Sequence, residues 1–468
     1  MRMFETQVLF FIAWLSVLSA VSVVTTGLAP SVAWADDGGD SDGGGDSSSS
    51  SQSGGGRHGG TGSAISTRNL FGTQPARVPP EPQPIPRPAF APDEIVTRGL
   101  TDDQVTRLEA QGYSVLERAD LAVLGTNIRR FRVPDGVSLQ DARDTIRLLP
   151  NGETADFNHF YRAEQDDTAT LEAPGGTPAS DGLHCPARDL IGWPAGLAAT
   201  GCGGPVTLGI VDTGLNIDHE VLAVADIDLT RIAPEDYSAS DAIHGTAVAA
   251  LLVGDPESRV PGLLPGLPLV AVDAFHKDAG DERADAFTLV RALDHLAENG
   301  VQVINLSLAG PPNTVLEETL LLLTEERQVP VIAAVGNDGP GAAAAYPAAY
   351  DNVIAATAVD CGGTVYRRAI RGPHVDLAAP GVEVWTAASV KGAVWKTGTS
   401  FAAPYVTAAA ALWLQQDPTL TPEDIRARLS ASARDLGAEG FDDAYGHGLL
   451  DLGGACPGAA MVRPVSAE

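Results

Sequence analysis

Basic side chains are scarce: the 468-residue chain carries 30 Lys and Arg against 60 Asp and Glu, a formal net charge of −30. So acidic a surface repels polyanions, which excludes nucleic acid and anionic lipid as partners and favours solubility. Long apolar runs are scarce too. Beyond the first 35 residues no segment is apolar enough for long enough to read as a membrane span. Cysteine is limited to Cys185, Cys202, Cys361 and Cys456, which in an exported chain make two disulfides with three connectivities open.

At 44% apolar residues the chain has ample material for a core, and its length exceeds one typical domain. Residues 1–35 read as a signal peptide: Arg2 precedes an apolar stretch from Val8 to Ala29, and Ala33-Trp34-Ala35 has the small-x-small form of a cleavage site. The same stretch is long enough to span a bilayer, so an uncleaved membrane anchor is the alternative to a secreted or cell-envelope protein. Residues 36–91 form a linker, first Gly/Ser/Asp-rich and then Pro-rich, too polar and too stiff to build a core. Residues 92–164 read as a small α+β domain in the order β-α-β-β-α-β, with Thr101 and Ser138 capping the two helices. Residues 165–182 have no periodicity and form a loop, where proteolysis concentrates. From 183 to 456 strands alternate with helical stretches, the pattern of a parallel sheet covered on both faces, and 457–468 is a tail.

Three motifs in that last region carry chemistry. Gly398-Thr399-Ser400-Phe401-Ala402-Ala403-Pro404 delivers a serine to the start of a long apolar helix, where unpaired backbone N–H groups favour a developing oxyanion. The apolar strand from Val206 ends in Asp212-Thr213-Gly214, putting a carboxylate at the carboxyl end of a parallel strand. His244-Gly245-Thr246 opens another apolar helix. Taken singly, Ser400 reads as a helix cap, Asp212 as a turn residue and His244 as a satisfied imidazole. Together they supply nucleophile, orienting carboxylate and general base.

On these motifs the chain resembles the subtilisin-like serine proteases, the subtilases, whose order is likewise Asp, His, Ser. Ala333-Ala334-Val335-Gly336-Asn337 matches a fourth motif, which implies an oxyanion-hole role for Asn337. Ile304 to Gly310 resembles the family's substrate-binding strand, implying peptide contacts at Ser307, Leu308, Ala309 and Gly310. The match at Tyr346-Pro347-Ala348 implies that Ala345 floors the primary specificity pocket, with Ala334, Val335 and Gly336 as its walls and apolar side chains as its broad preference. Ala247, Ala250, Phe401 and Tyr405 depart from the family pattern without touching the candidate triad.

The resemblance implies a zymogen acting on protein or peptide substrates, with residues 92–164 as its own inhibitory propeptide. Calcium is frequent in the family. Asp218, Asp226 and Asp228 offer oxygen donors without the spacing of a calcium loop, so neither metal nor cofactor is assigned. From their places along the chain, the expected disulfides are Cys185 with Cys202 and Cys361 with Cys456.

Overall fold

Two capped helices and four short strands open the folded part of the chain. The computed structural model describes residues 87–163, 187–194, 197, 202–452 and 455–456. The signal segment 1–35, linker residues 36–86, the loop 165–182, the tail 457–468 and Cys185 lie outside the described residues. In order come β1 (Phe90–Arg98), α1 (Asp102–Glu109), β2 (Ser114–Leu121), β3 (Thr126–Arg132), α2 (Leu139–Arg147) and β4 (Asp156–Ala163). Thr101 closes a capping box with Gln104, and the Ser138 hydroxyl accepts the N–H of Asp141. Losing either cap would cost about 1 kcal/mol. The strands pair antiparallel in the order β2-β3-β1-β4, the split βαβ arrangement, over a core that includes Ile95, Leu108, Phe131 and Ile146.

The larger part is a seven-stranded parallel sheet. Its strand order is Leu377–Pro380, Ile354–Val359, Val331–Ala334, Val303–Leu306, β5 (Leu208–Asp212), Leu269–Asp273 and Ile227–Arg231. The central strands are buried at every residue, as parallel strands covered on both faces must be. Helices His244–Val253 and Ala403–Gln416 pack together against one face, and helices Ala286–Glu298 and Thr314–Leu321 pack together on the other. This is the expected α/β architecture, and it gathers the carboxyl ends of the central strands along one edge.

β4 joins the two parts. Its first half pairs with β1, whereas its last residues pair antiparallel with two segments of the larger part: Leu308 with Ala163 and Ala309 with Arg162, then Ala284 with Tyr161 and Asp285 with Phe160. Gly310 permits this closeness, because a Cβ there would lie 2.6 Å from the Tyr161 ring and 2.8 Å from the Phe160 carbonyl oxygen.

The disulfides differ from expectation. Cys202 pairs with Cys456, their Cα atoms 5.8 Å apart, which replaces both expected pairs, and Cys361 is disulfide-bonded as well. The reason is spatial. The segment entering β5 runs beside the end of helix Ala403–Gln416, where the Cys202 N–H meets the Gln415 side chain, and the chain returns there at Ala455 and Cys456. Among the described residues no helix is long and apolar enough to cross a membrane. Nor do any three His, Cys, Asp or Glu side chains among them, Asp218, Asp226 and Asp228 included, converge as metal ligands.

Candidate active site

The carboxyl end of β5 places Asp212, and the first turn of the next helix places His244. Both side chains are almost wholly excluded from solvent, and His244 Nδ1 lies 2.7 Å from Asp212 Oδ1. That carboxylate oxygen also accepts the Thr213 N–H at 2.7 Å, and the Thr213 hydroxyl accepts the N–H of Gly245 at 2.9 Å. The helix start is thereby tied to the strand end. Glycine at 245 is required, since a Cβ would stand 2.5 Å from the Thr213 carbonyl oxygen. An imidazole whose Nδ1–H is held by a carboxylate carries its lone pair on Nε2, and His244 Nε2 has no partner among the described residues.

Ser400 lies in a short 3-10 turn, Thr399–Phe401, ahead of helix Ala403–Gln416, not in that helix itself. It is not a cap. Its hydroxyl donates to the Ser307 carbonyl at 3.1 Å, and the His244 ring packs against Phe401 with ring centres 5.6 Å apart. To meet Nε2 as a nucleophile the Ser400 hydroxyl must leave Ser307. The turn is fixed from behind by a buried relay: Thr407 donates to Asn305, Asn305 to the Ser307 hydroxyl, and that hydroxyl to the Ser400 carbonyl, at 3.1, 2.9 and 2.9 Å.

Asn337 closes the group. Its side-chain oxygen accepts both the N–H and the hydroxyl of Thr399, each at 3.1 Å, which directs the amide nitrogen away from Thr399. The Thr399 hydroxyl also accepts the Gly336 N–H at 3.2 Å. Asp273, paired in register with Asp212, receives hydrogen bonds from Ser240 and Arg231; burial holds its carboxyl above the usual range, and Arg231 works against that shift.

The expected substrate contacts divide. Ala309, Gly310, Asn337 and Ala345 line one cavity together with the end of β4. Leu308 and Ala309 pair with β4, and Ser307 contacts Ser400. Ala309, Ala345 and Ile370 form a small apolar cluster, with Gly336 against Ile370 and Ala345. Ala334 and Val335 belong instead to the main core and line no part of this cavity. Sequence reasoning missed Thr213, Asn305, Thr407 and Arg368. The first three are ordinary polar residues whose role exists only through partners distant in sequence, and Arg368 follows no motif.

An arrangement of this kind suits acyl transfer: a base held by a carboxylate, a hydroxyl beside it, and an amide together with backbone N–H groups for a developing oxyanion. Comparison with known proteins agrees. The model of the Subtilase family matches residues 203–448. Subtilisin DY of Bacillus licheniformis is 32% identical over 254 residues, which cover 53% of this chain and 90% of that protein. The minor extracellular protease Epr of Bacillus subtilis (strain 168) is 27% identical over 296 residues, 62% of this chain and 44% of that protein. Among solved structures, fervidolysin from Fervidobacterium pennivorans, described as a keratinolytic enzyme related to subtilisin, is similar in fold with a TM-score of 0.61 at 23% identity, covering 78% of this chain and 61% of that one. By the family match across more than half its length and its likeness to nearly the whole of subtilisin DY, the chain belongs to the subtilase family of serine endopeptidases.

Proposed function

We propose that this protein is an exported subtilase made as a zymogen, in which Ser400 is the nucleophile, His244 the general base and acid, and Asp212 the residue that fixes and stabilises the imidazolium. The observation that carries this reading is the buried 2.7 Å contact between His244 and Asp212, with Nε2 left for the serine turn beside it. Ser400 attacks the peptide carbonyl as Nε2 takes its proton; the oxyanion receives the Asn337 amide and the Ser400 N–H; the proton passes to the leaving amine; and water then releases the acyl group by the same steps. Export rests on the signal-like residues 1–35 and on the extracellular relative.

The zymogen reading rests on β4. A peptide substrate would add itself to the strand at Leu308–Ala309 by main-chain pairing, and Arg162 and Ala163 already occupy that place. The small apolar walls at Ala309 and Ala345 suit an apolar side chain on the residue before the scissile bond. A fluorophosphonate probe tests the reading. It should label the processed wild type at Ser400 and spare Ser400→Ala, whereas absence of labelling together with absence of any peptide cleavage would reduce the protein to a peptide-binding module.

A further inference from the structure

Where β4 crosses onto the larger part, one of its side chains is held more firmly than strand pairing requires. The Arg162 Nε–H and a terminal N–H donate to Asp281 Oδ1 and Oδ2 at 2.8 and 2.6 Å, a bidentate pair on a carboxylate whose side chain is only 3% exposed. Asp281 opens the segment Asp281–Asp285, which pairs with β4 through Ala284 and Asp285. Arg283 adds one bond to Oδ2 at 3.0 Å and turns its other terminal nitrogen to Asp278. Among the described residues only Arg162 donates to Oδ1, so a buried carboxylate oxygen loses its partner when β4 leaves.

The register of β4 turns that pair into a position along a bound peptide. Arg162 lies opposite Ala309 and Ala163 opposite Leu308; beside Leu308 stands Ser307, whose carbonyl accepts the Ser400 hydroxyl at 3.1 Å. A substrate laid in this register puts the residue facing Ala309 two places before the one at the serine, third from the scissile bond on its amino side. Charge agrees with a cation there. Of the residues lining the cavity of about 650 Å³ at this point, those outside the first domain include Asp281, Glu282 and Asp338 against Arg368, which is held at the Asn337 carbonyl. We propose that Asp281 is a specificity-determining residue that selects arginine at the third position before the scissile bond, with Arg162 as its occupant in the precursor. This rests on the serine endopeptidase reading and adds a second determinant to the apolar one. Two parallel N–H···O bonds need the guanidinium fork, so lysine, a single point of charge, fits less well.

The processed enzyme is given a peptide library varied at the three residues before the cut, and kcat/KM for peptides with arginine, lysine or alanine at the third is compared within each enzyme. Expected in the wild type is a roughly ten- to hundredfold preference for arginine over alanine there, with lysine between them. Asp281→Asn should bring that ratio near one, whereas Asp281→Glu should keep arginine first. Taking each ratio within one enzyme cancels any loss of folded protein, and the wild-type profile needs no variant at all. No arginine preference at the third position, a preference that survives in Asp281→Asn, or a basic preference confined to another position overturns the assignment. Each of those outcomes still reports proteolysis; a library left wholly uncut, by an enzyme that no fluorophosphonate labels, overturns the endopeptidase reading and this one with it.

Discussion

The Asn337 side chain shows how much of the site depends on a single rotamer. Its oxygen is held twice by Thr399, so the nitrogen end faces away from that residue whatever occupies the cleft. Asn337→Ala should therefore lower kcat by ~10²–10³-fold with little change in KM, a magnitude taken over from the corresponding amide of subtilisin. Thr399→Val keeps the shape and removes one of the two restraints; a fall in kcat of about tenfold at constant KM would mark a positioning residue, and a change in KM alone would refute that role. The motif residues were legible in sequence because each stands at a junction between an apolar element and a turn. Asn305 and Thr407 carry no such punctuation. Nothing in Arg367-Arg368-Ala369-Ile370-Arg371 announces that its second arginine reaches Asn337.

At the scale of elements, β4 was expected as a fourth strand, yet composition could not say that its second half would leave its own sheet. The docking of the β1–β4 domain on the larger part combines hydrogen bonds that can be removed one at a time. Asp294, on helix Ala286–Glu298, accepts the N–H groups of Ala122, Val123 and Leu124 at 3.0, 3.2 and 3.1 Å. Asp294→Ala leaves those donors without their carboxylate and should loosen the β2–β3 turn by about 1–3 kcal/mol, read as faster hydrogen exchange at 122–124. On β4 itself, His159 is buried between Phe90 and Phe157, and the Asn313 amide approaches its Nδ1 at 2.9 Å. Burial lowers its pKa below the ordinary 6.5; Asp156 pulls it up and Arg143 pushes it down. A histidine lowered on folding contributes stability above its unfolded value and loses it as pH falls through the folded one. Protection factors at β4 amides, corrected for the intrinsic pH dependence of exchange, should accordingly fall as pH drops below 6.5 in the wild type and lose that dependence in His159→Gln.

Taken whole, the molecule makes a claim no single element makes. Ser400→Ala removes one oxygen and little packing, so the variant should fold and stay an uncleaved precursor while wild type loses its first domain. Intact mass of both proteins, from a host without other exported proteases, decides the matter, and equal processing would assign the cut to another enzyme. The disulfides were the least legible feature at this scale. Sequence proximity suggested Cys185 with Cys202, but the pairing follows from where the chain's late residues return, which no local pattern encodes. Replacing both Cys202 and Cys456 by alanine should lower stability by about 5 kcal/mol in the loop-entropy account, checked by urea denaturation.

That cross-link has a further consequence for an enzyme whose substrate is polypeptide. Residues 202 to 456 form a closed covalent ring that contains the three candidate catalytic residues. When one copy nicks another in a surface loop within the ring, both halves remain one molecule, and re-docking of the severed ends is intramolecular, at an effective concentration on the order of millimolar. A population ageing by self-digestion should thus show full-length mass without reductant and fragments with it, while its activity outlasts its intact backbone.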